Sequence, residues 1–394
     1  MRQGWTWKPL GEVCKTGSGG TPLSSRKDFY EGGTIPWLVS GEVAQGNVLE
    51  AKNFITAAGL ENSAAKLFPR DTVLVAMYGA TAGQVGILRF EAATNQAVCG
   101  ILPNDKFVPE FLYYFLLAKK DDLVAQATGN AQPNISQIKI KNTAIPVLPL
   151  PEQQRIVALL DEAFAGLATA KANSERNLQN ARALFESHLQ SVFTQRRSGW
   201  VERTLGELIE IQNGYAFKSI DYTDNGYFLI RIGNVQDGEI TLANPRFIKL
   251  TDKKLERFIL NEGDILVSLT GNIGRVGIIQ KDQLPAVLNQ RVARITIKDK
   301  NSDSDFLFRF LLSQAFRVGL QEAGHGAAQQ NVSTKEIESI QISLPDKKEQ
   351  HRIVEKFNIF AVEAQRLTRI YERKLAALEE LKKSLLHQAF NGEL

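Results

Sequence analysis

Cysteine is almost missing from this 394-residue chain. Its two copies, Cys14 and Cys99, stand in unrelated segments of the first half and have no counterparts in the second. Two isolated thiols form neither a C-x-x-C pair nor a zinc ligand set, so they read as buried thiols. Histidine is as sparse. His188, His325, His351 and His387 are scattered, with three of the four on long helical stretches, which argues against a metal cluster or a nucleophile–base pair. No Asn/Asp-Pro-Pro-aromatic adenine-methylation motif is present, and no glycine turn ends in the Gly-Lys-Ser/Thr of a phosphate loop. Gly271 and Gly274 stand three apart with no amphipathic helix behind them, so they are not a dinucleotide fingerprint. Carboxylates fall mainly on the helices as a solvated face. The expectation is a chain without catalysis of its own, with no catalytic or metal-ligating residues. No run approaches the ~18 apolar residues of a membrane span, and MRQGWTWKPL holds no signal-peptide core. A cytoplasmic protein without a membrane partner is expected. A net charge of +4 permits nucleic-acid binding without demonstrating it.

What the chain has is a repeat. Glu152 to Phe193 contains one glycine, Gly166, and no proline, and its apolar residues recur every three or four positions: Ile156, Leu160, Phe164, Leu167, Leu178, Ala181, Phe185 and Val192. That pattern predicts a long amphipathic helix of coiled-coil character. Glu349 to Phe390 aligns with it without a gap, matching Glu-Gln-x-Arg-Ile-Val at the start and Phe at the end. Helices of this length run roughly 60 Å at about 1.5 Å per residue, and each apolar seam needs a partner, most simply the other copy packed antiparallel. The predicted fold is α+β: two pseudo-symmetric mixed α/β globules separated by two long antiparallel coiled-coil helices, a dumbbell. Boundaries are placed at 1–148, 149–197, 198–345 and 346–394.

The globules repeat as well. Gly4-Trp5 and Leu10-Gly11-Glu12 return as Gly199-Trp200 and Leu205-Gly206-Glu207, which reads as the docking edge of a strand or helix. Thr16 to Pro22 is answered by Gln212 to Lys218. These glycine-rich turns are either tight reversals or phosphate contacts, with Gly19, Thr21 and Lys218 as candidates. Next, an apolar strand runs out into polar tips in each half, Ser40 and Glu42 in one, Arg231 and Asn234 in the other. Such side chains read base edges, and a constant frame with variable tips suits a recognition module. Asp71 to Gly79 with Gly83 and Gly86 matches Asp264 to Gly271 with Gly274 and Gly277, predicting strand, glycine turn, strand. Tyr78, Thr81, Thr270, Asn272, Arg275 and Arg291 complete the candidate DNA contacts. The amide pairs Asn95-Gln96 and Asn289-Gln290 either read adenine or tie a buried turn, the second being preferred. Each globule then shows a short apolar helix, Phe111 to Ala118 or Phe306 to Ser313, and a Gly/Ala segment, Gly129–Gln132 or Gly326–Gln329, that could touch phosphate. Ser136 and Ser333 follow as helix N-caps. Pro146, Pro149 and Pro151 in one copy and Pro345 in the other close the globule and set up the long helix.

Taken together, the globule–EQQRIV helix–globule–EQHRIV helix order, the ending Ala389-Phe390-Asn-Gly-Glu-Leu394, and the marks Gly19-Gly-Thr-Pro22, Gly214-Tyr-Ala-Phe-Lys218, Gly263-Asp264, Asn95-Gln96 and Asn289-Gln290 resemble the specificity subunit of type I restriction-modification systems. The first copy departs at Arg70-Asp71, where the second has Gly263-Asp264. The resemblance implies two target-recognition domains, each reading one half of a split double-stranded DNA site, with the helices as a ruler. It further implies two modification subunits that carry S-adenosylmethionine and methylate adenine, and restriction subunits that use ATP and Mg; this chain itself would hold no cofactor. A non-DNA scaffold and a free-standing regulator that reads a split operator are the competing readings.

Overall fold

In the computed structural model, the stripe beginning at Glu152 is one uninterrupted helix, Leu150–Thr194, and its repeat is Lys347–Asn391. Residues 5–43, 46–126, 134–194, 198–323 and 331–394 are described, without the side chain of Phe185. They form two compact units, Met1–Glu175 with Glu372–Leu394, and Arg176–Tyr371, so each long helix contributes to both. Among the described residues no helix is long and apolar enough to cross a membrane.

In the first unit, the opening strand Thr6–Pro9 pairs antiparallel with Ala144–Val147, immediately before the long helix. A five-stranded sheet runs Thr16–Ser18, Val98–Ile101, Val73–Ala76, Val85–Leu88, Asn47–Val48, and a four-stranded sheet runs Asn53–Ile55, Ile35–Leu38, Ala92–Thr94, Leu67–Phe68. The run Val73–Ala76 is buried at every position because both faces of its strand are covered, which explains why it does not alternate. Helix Pro109–Ala118 packs Phe111 and Phe115 edge-on against Phe390, at ring distances of 5.3 and 5.4 Å. The last turn of the C-terminal helix is thereby part of this core, together with Ile156 and Leu160 of the central helix.

The second unit repeats the plan. Val201–Thr204 pairs with Gln341–Leu344. One sheet runs Ile209–Asn213, Val292–Ile297, Ile265–Ser268, Val276–Ile278, and the other Tyr222–Thr223, Phe247–Ile248, Tyr227–Ile230, Ala286–Leu288, Ile259–Leu260. Helix Ser304–Leu312 places Phe306 and Phe310 against Phe193, at 5.2 and 5.5 Å. The strand–turn–strand predicted in each half is an antiparallel pair in both units.

Within each unit the two long helices run antiparallel. In the first, Lys171 pairs with Glu379 at 2.6 Å, and Arg155, earlier in its helix, donates to the carbonyl of Leu394, three residues past the end of the other. In the second, His188 meets Phe360 and the later Phe193 meets the earlier Phe357. Of the predicted stripe, Ile156, Leu160, Ala181 and Val192 are buried, Phe164, Leu167 and Leu178 are half-buried, and Leu189 joins the seam.

The Glu-Gln-x-Arg-Ile-Val motif has a physical reading at every letter. Glu152 and Arg155 pair across one turn at 2.8 Å, as Glu349 and Arg352 do at 3.0 Å. Ile156 and Val157, and Ile353 and Val354, enter the two cores. Gln153 is fully buried; its Nε2 donates to the carbonyls of Lys106 and Leu148, and its Oε1 accepts from the N–H of Val108. Gln350 repeats this with Asn301, Pro345 and Asp303. One amide thus pins each long helix to the loop that starts its neighbouring apolar helix.

Pro149 precedes the central helix and Pro151 lies in its first turn, as Pro345 precedes the second. Pro146, predicted to end the globule, instead lies inside a strand opposite Trp7. Both strands of a two-stranded sheet are edges, where proline is tolerated at positions whose N–H would face away from the partner. Ser136 and Ser333 cap their helices by accepting the N–H groups of Lys139 and Glu336. The Gly129–Gln132 and Gly326–Gln329 segments lie outside the described residues.

Candidate nucleic-acid interface

In each unit four chain segments meet where two parallel strands run out. In the second unit Tyr227–Ile230 and Ala286–Leu288 are parallel neighbours, and their ends are tied by Asn289 N–H donating to Ile230 O at 3.2 Å. Tyr215 and Gln290 exchange with this corner (Tyr215 N–H to Leu288 O, Gln290 N–H to Tyr215 O), Leu269 N–H donates to Arg291 O, and Val332 N–H to Leu269 O. The first unit builds the same corner: Asn95 N–H to Leu38 O, Gly20 N–H to Thr94 O, Met77 N–H to Ala97 O and Ile135 N–H to Met77 O. These bonds set Val39 against Arg231, Gln84 against Arg275 and Ala97 against Arg291 as corresponding positions, since Ala76 and Ser268 donate likewise to Gln84 O and Arg275 O.

The glycines permit this convergence. A Cβ on Gly19 would sit 2.1 Å from Thr94 O, and one on Gly214 2.1 Å from Asn289 O, so only glycine lets the turn lie on the amide corner. Asn95 and Asn289 each turn their side-chain oxygen back to a backbone N–H two residues on, Ala97 or Arg291, which supports their structural reading.

Most of the predicted contacts surround these corners. Thr21 is exposed and its hydroxyl donates to Gln96; Tyr78 is exposed; Thr81 is half-buried with its hydroxyl on Tyr78 O; Ser40 is half-buried after its strand. In the second unit Lys218, Asn272 and Arg291 are exposed, Arg231 and Arg275 half-buried, and Thr270 carries a buried hydroxyl with no partner among the described residues. Arg275 donates to Gln236 Oε1 at 2.8 Å.

Three predicted contacts face inward instead. Gly19 is buried and gives its N–H to Val98 O, so it offers no donor to a phosphate. Glu42 is 4% exposed, and its carboxylate accepts the N–H groups of Val39 and Lys52. Asn234 is 1% exposed; its Oδ1 accepts the N–H of Arg231, and its Nδ2 donates to Thr241 O and Ala243 O. At corresponding places each closes the turn after its strand. A polar side chain there satisfies orphan backbone groups more cheaply than it serves a surface.

Sequence reasoning overlooked Asn244 and Arg246. With Arg231, Arg291, Asn289 and Gln290 they line a cleft of about 600 Å³ that has Phe217 and Tyr222 on its wall and, among the described residues, no carboxylate in its lining. Arg246 directly precedes Phe247–Ile248, which pairs antiparallel with Tyr227–Phe228 as Phe54–Ile55 pairs with Ile35–Pro36 in the first unit, so Asn53 stands at its place there. Among the described residues no three His, Cys, Asp or Glu side chains group as metal ligands.

The family described as type I restriction modification DNA specificity domain matches twice, over residues 2–176 and 197–379. The chain belongs to this family. It is accordingly a DNA-specificity component and not a catalytic one. It is 27% identical over 330 residues to the type I restriction enzyme EcoBI specificity subunit of Escherichia coli, covering 77% of this chain and 69% of that one. It is 26% identical over 340 residues to the MjaVIII specificity subunit of Methanocaldococcus jannaschii, covering 82% and 79%. The fold is shared with the HsdS subunit of Thermoanaerobacter tengcongensis, at a TM-score of 0.64 and 21% identity over 100% of this chain and 98% of that one. A chain from a type I R-M system solved for its complex assembly and conformational transition gives 0.78, at 22% identity over 100% and 99%. The duplicated corner of this specificity chain is thus a duplicated family domain.

Proposed function

We propose that each unit reads one half of a split double-stranded DNA target through its corner of loops, and that the two long helices set the gap between the halves. The observation that carries this is the corner itself, built twice from the same backbone hydrogen bonds but tipped with different side chains: Val39, Gln84 and Ala97 in one, Arg231, Arg275 and Arg291 in the other. A shared frame positions, and what varies on it discriminates. The chain works with two modification subunits, which supply S-adenosylmethionine and adenine methylation, and with restriction subunits that use ATP and Mg, in the cytoplasm.

The test is methylated-site sequencing in cells carrying the complete complex, joined to DNA binding by the purified complex. A bipartite motif and an affinity that falls steeply with salt are expected. Salt-independent or absent DNA binding would leave a protein scaffold; tight bipartite binding by this chain without modification subunits would leave a free-standing regulator.

A further inference from the structure

We infer that Arg231 fixes a G·C pair in the half-site read by the second unit, approaching the guanine edge from a position preset by Asn234 and Asn244; this rests on the half-site reading proposed here. The buried amide of Asn234 takes the N–H of Arg231 at 3.1 Å and holds the carbonyls of Thr241 and Ala243 at 3.0 Å each, tying the end of the strand to the loop beyond it. The next residue, Asn244, adopts φ of 50°, a left-handed conformation that asparagine tolerates better than most side chains. Its carbonyl accepts from Arg231 Nη2 at 2.6 Å. The guanidinium is therefore held at backbone and tip while it lines the cleft.

Arg231 Nε is buried with no partner among the described residues, which leaves the terminal Nη1 and Nη2 of this half-buried side chain as the fork presented to the cleft. Arginine presents its donors in a rigid planar fork, and the major-groove edge of guanine offers two acceptors, O6 and N7, at matching spacing. Among the described residues no carboxylate lines the cleft to compete for the fork.

A phosphate offers acceptors too, but phosphates are the same in both half-sites, so groups that grip them belong on the shared frame. Arg231 is not shared: its counterpart is Val39, and the counterpart of the neighbouring Arg291 is Ala97. A cation found on one corner only has the distribution of a reader of bases. Asn234, whose amide bonds only backbone groups among the described residues, is a positioning residue.

The deciding experiment is methylated-site sequencing of cells carrying the complete complex with the native chain, Arg231→Ala or Arg231→Lys. In the alanine variant one G·C position of one half-site becomes degenerate, its discrimination falling about ten- to hundredfold, while the other half-site keeps its sequence. If that variant fails to assemble, Arg231→Lys decides, because it keeps the charge and loses the fork: the same position relaxes partially. An unchanged motif in the variants overturns the assignment. So does a uniform loss of methylation across all sequences with a shallower salt dependence of binding, which marks a phosphate contact. A native complex without a bipartite motif would overturn the half-site reading itself.

Discussion

Val108 gives its backbone N–H to Gln153 Oε1 at 2.9 Å, and in the other half Asp303 gives its own to Gln350 Oε1 at 2.8 Å. Each N–H belongs to the N-cap residue of an apolar helix, and each glutamine stands in the first turn of a long helix. One amide therefore fixes how a long helix leaves its unit. Both glutamines are essentially without solvent contact, so no water can replace the bonds.

Removing this amide strands buried backbone groups. Gln153→Ala leaves the N–H of Val108 and the carbonyls of Lys106 and Leu148 unpaired. A loss of roughly 1–3 kcal/mol per buried unsatisfied group sets the scale, read as a lower denaturant midpoint. Gln153→Glu, which sets a carboxylate against two carbonyl oxygens, is expected to be at least as damaging. A midpoint within error of the native chain would contradict the assignment.

The inward-facing turn residues make the opposite forecast from a base reader. Glu42→Ala frees the N–H groups of Val39 and Lys52, and Asn234→Ala those of Arg231 together with two carbonyls. Each should lower thermal or denaturant stability by about 1–3 kcal/mol. Glu42→Gln, which keeps one acceptor, should lose less than Glu42→Ala; equal losses would show that the carboxylate is not what holds the turn.

Incubated alone with S-adenosylmethionine and duplex DNA, the chain is expected to transfer no methyl groups, consistent with its place in a specificity family. Incorporation of labelled methyl groups measures this. Methylation that survives removal of every trace of a modification subunit would refute it.

Inserting one seven-residue repeat after Ala172, inside the Leu150–Thr194 helix, keeps the apolar seam in phase. Seven residues add about 10 Å of helix, and DNA rises ~3.4 Å per base pair. The preferred gap between half-sites should lengthen by up to roughly three base pairs, with the half-site sequences unchanged. Methylated-site sequencing reads both quantities. A fixed gap in an active complex would remove the helices from the role of ruler.

Period and repetition are written in the order of residues alone. An apolar residue at every third or fourth position dictates a helix wherever the chain lies, so both long helices were legible to within a few residues, as were the duplicated strand–turn–strand and the serine caps. Duplication also marked the separate pieces of the corner, since the same glycines and amides recur in the same order in both halves. The direction in which the polar tips point depends on packing between distant segments. A polar residue just past a strand can serve the surface or close the turn beneath it. The choice falls to whichever backbone groups would otherwise be left unpaired, and those groups come from distant segments: Lys52 for Glu42, Thr241 and Ala243 for Asn234. The same holds for Arg246 in the cleft and for the burial of Gly19, because a side chain's neighbours across a sheet are fixed by strand pairing, which no local pattern in the sequence records.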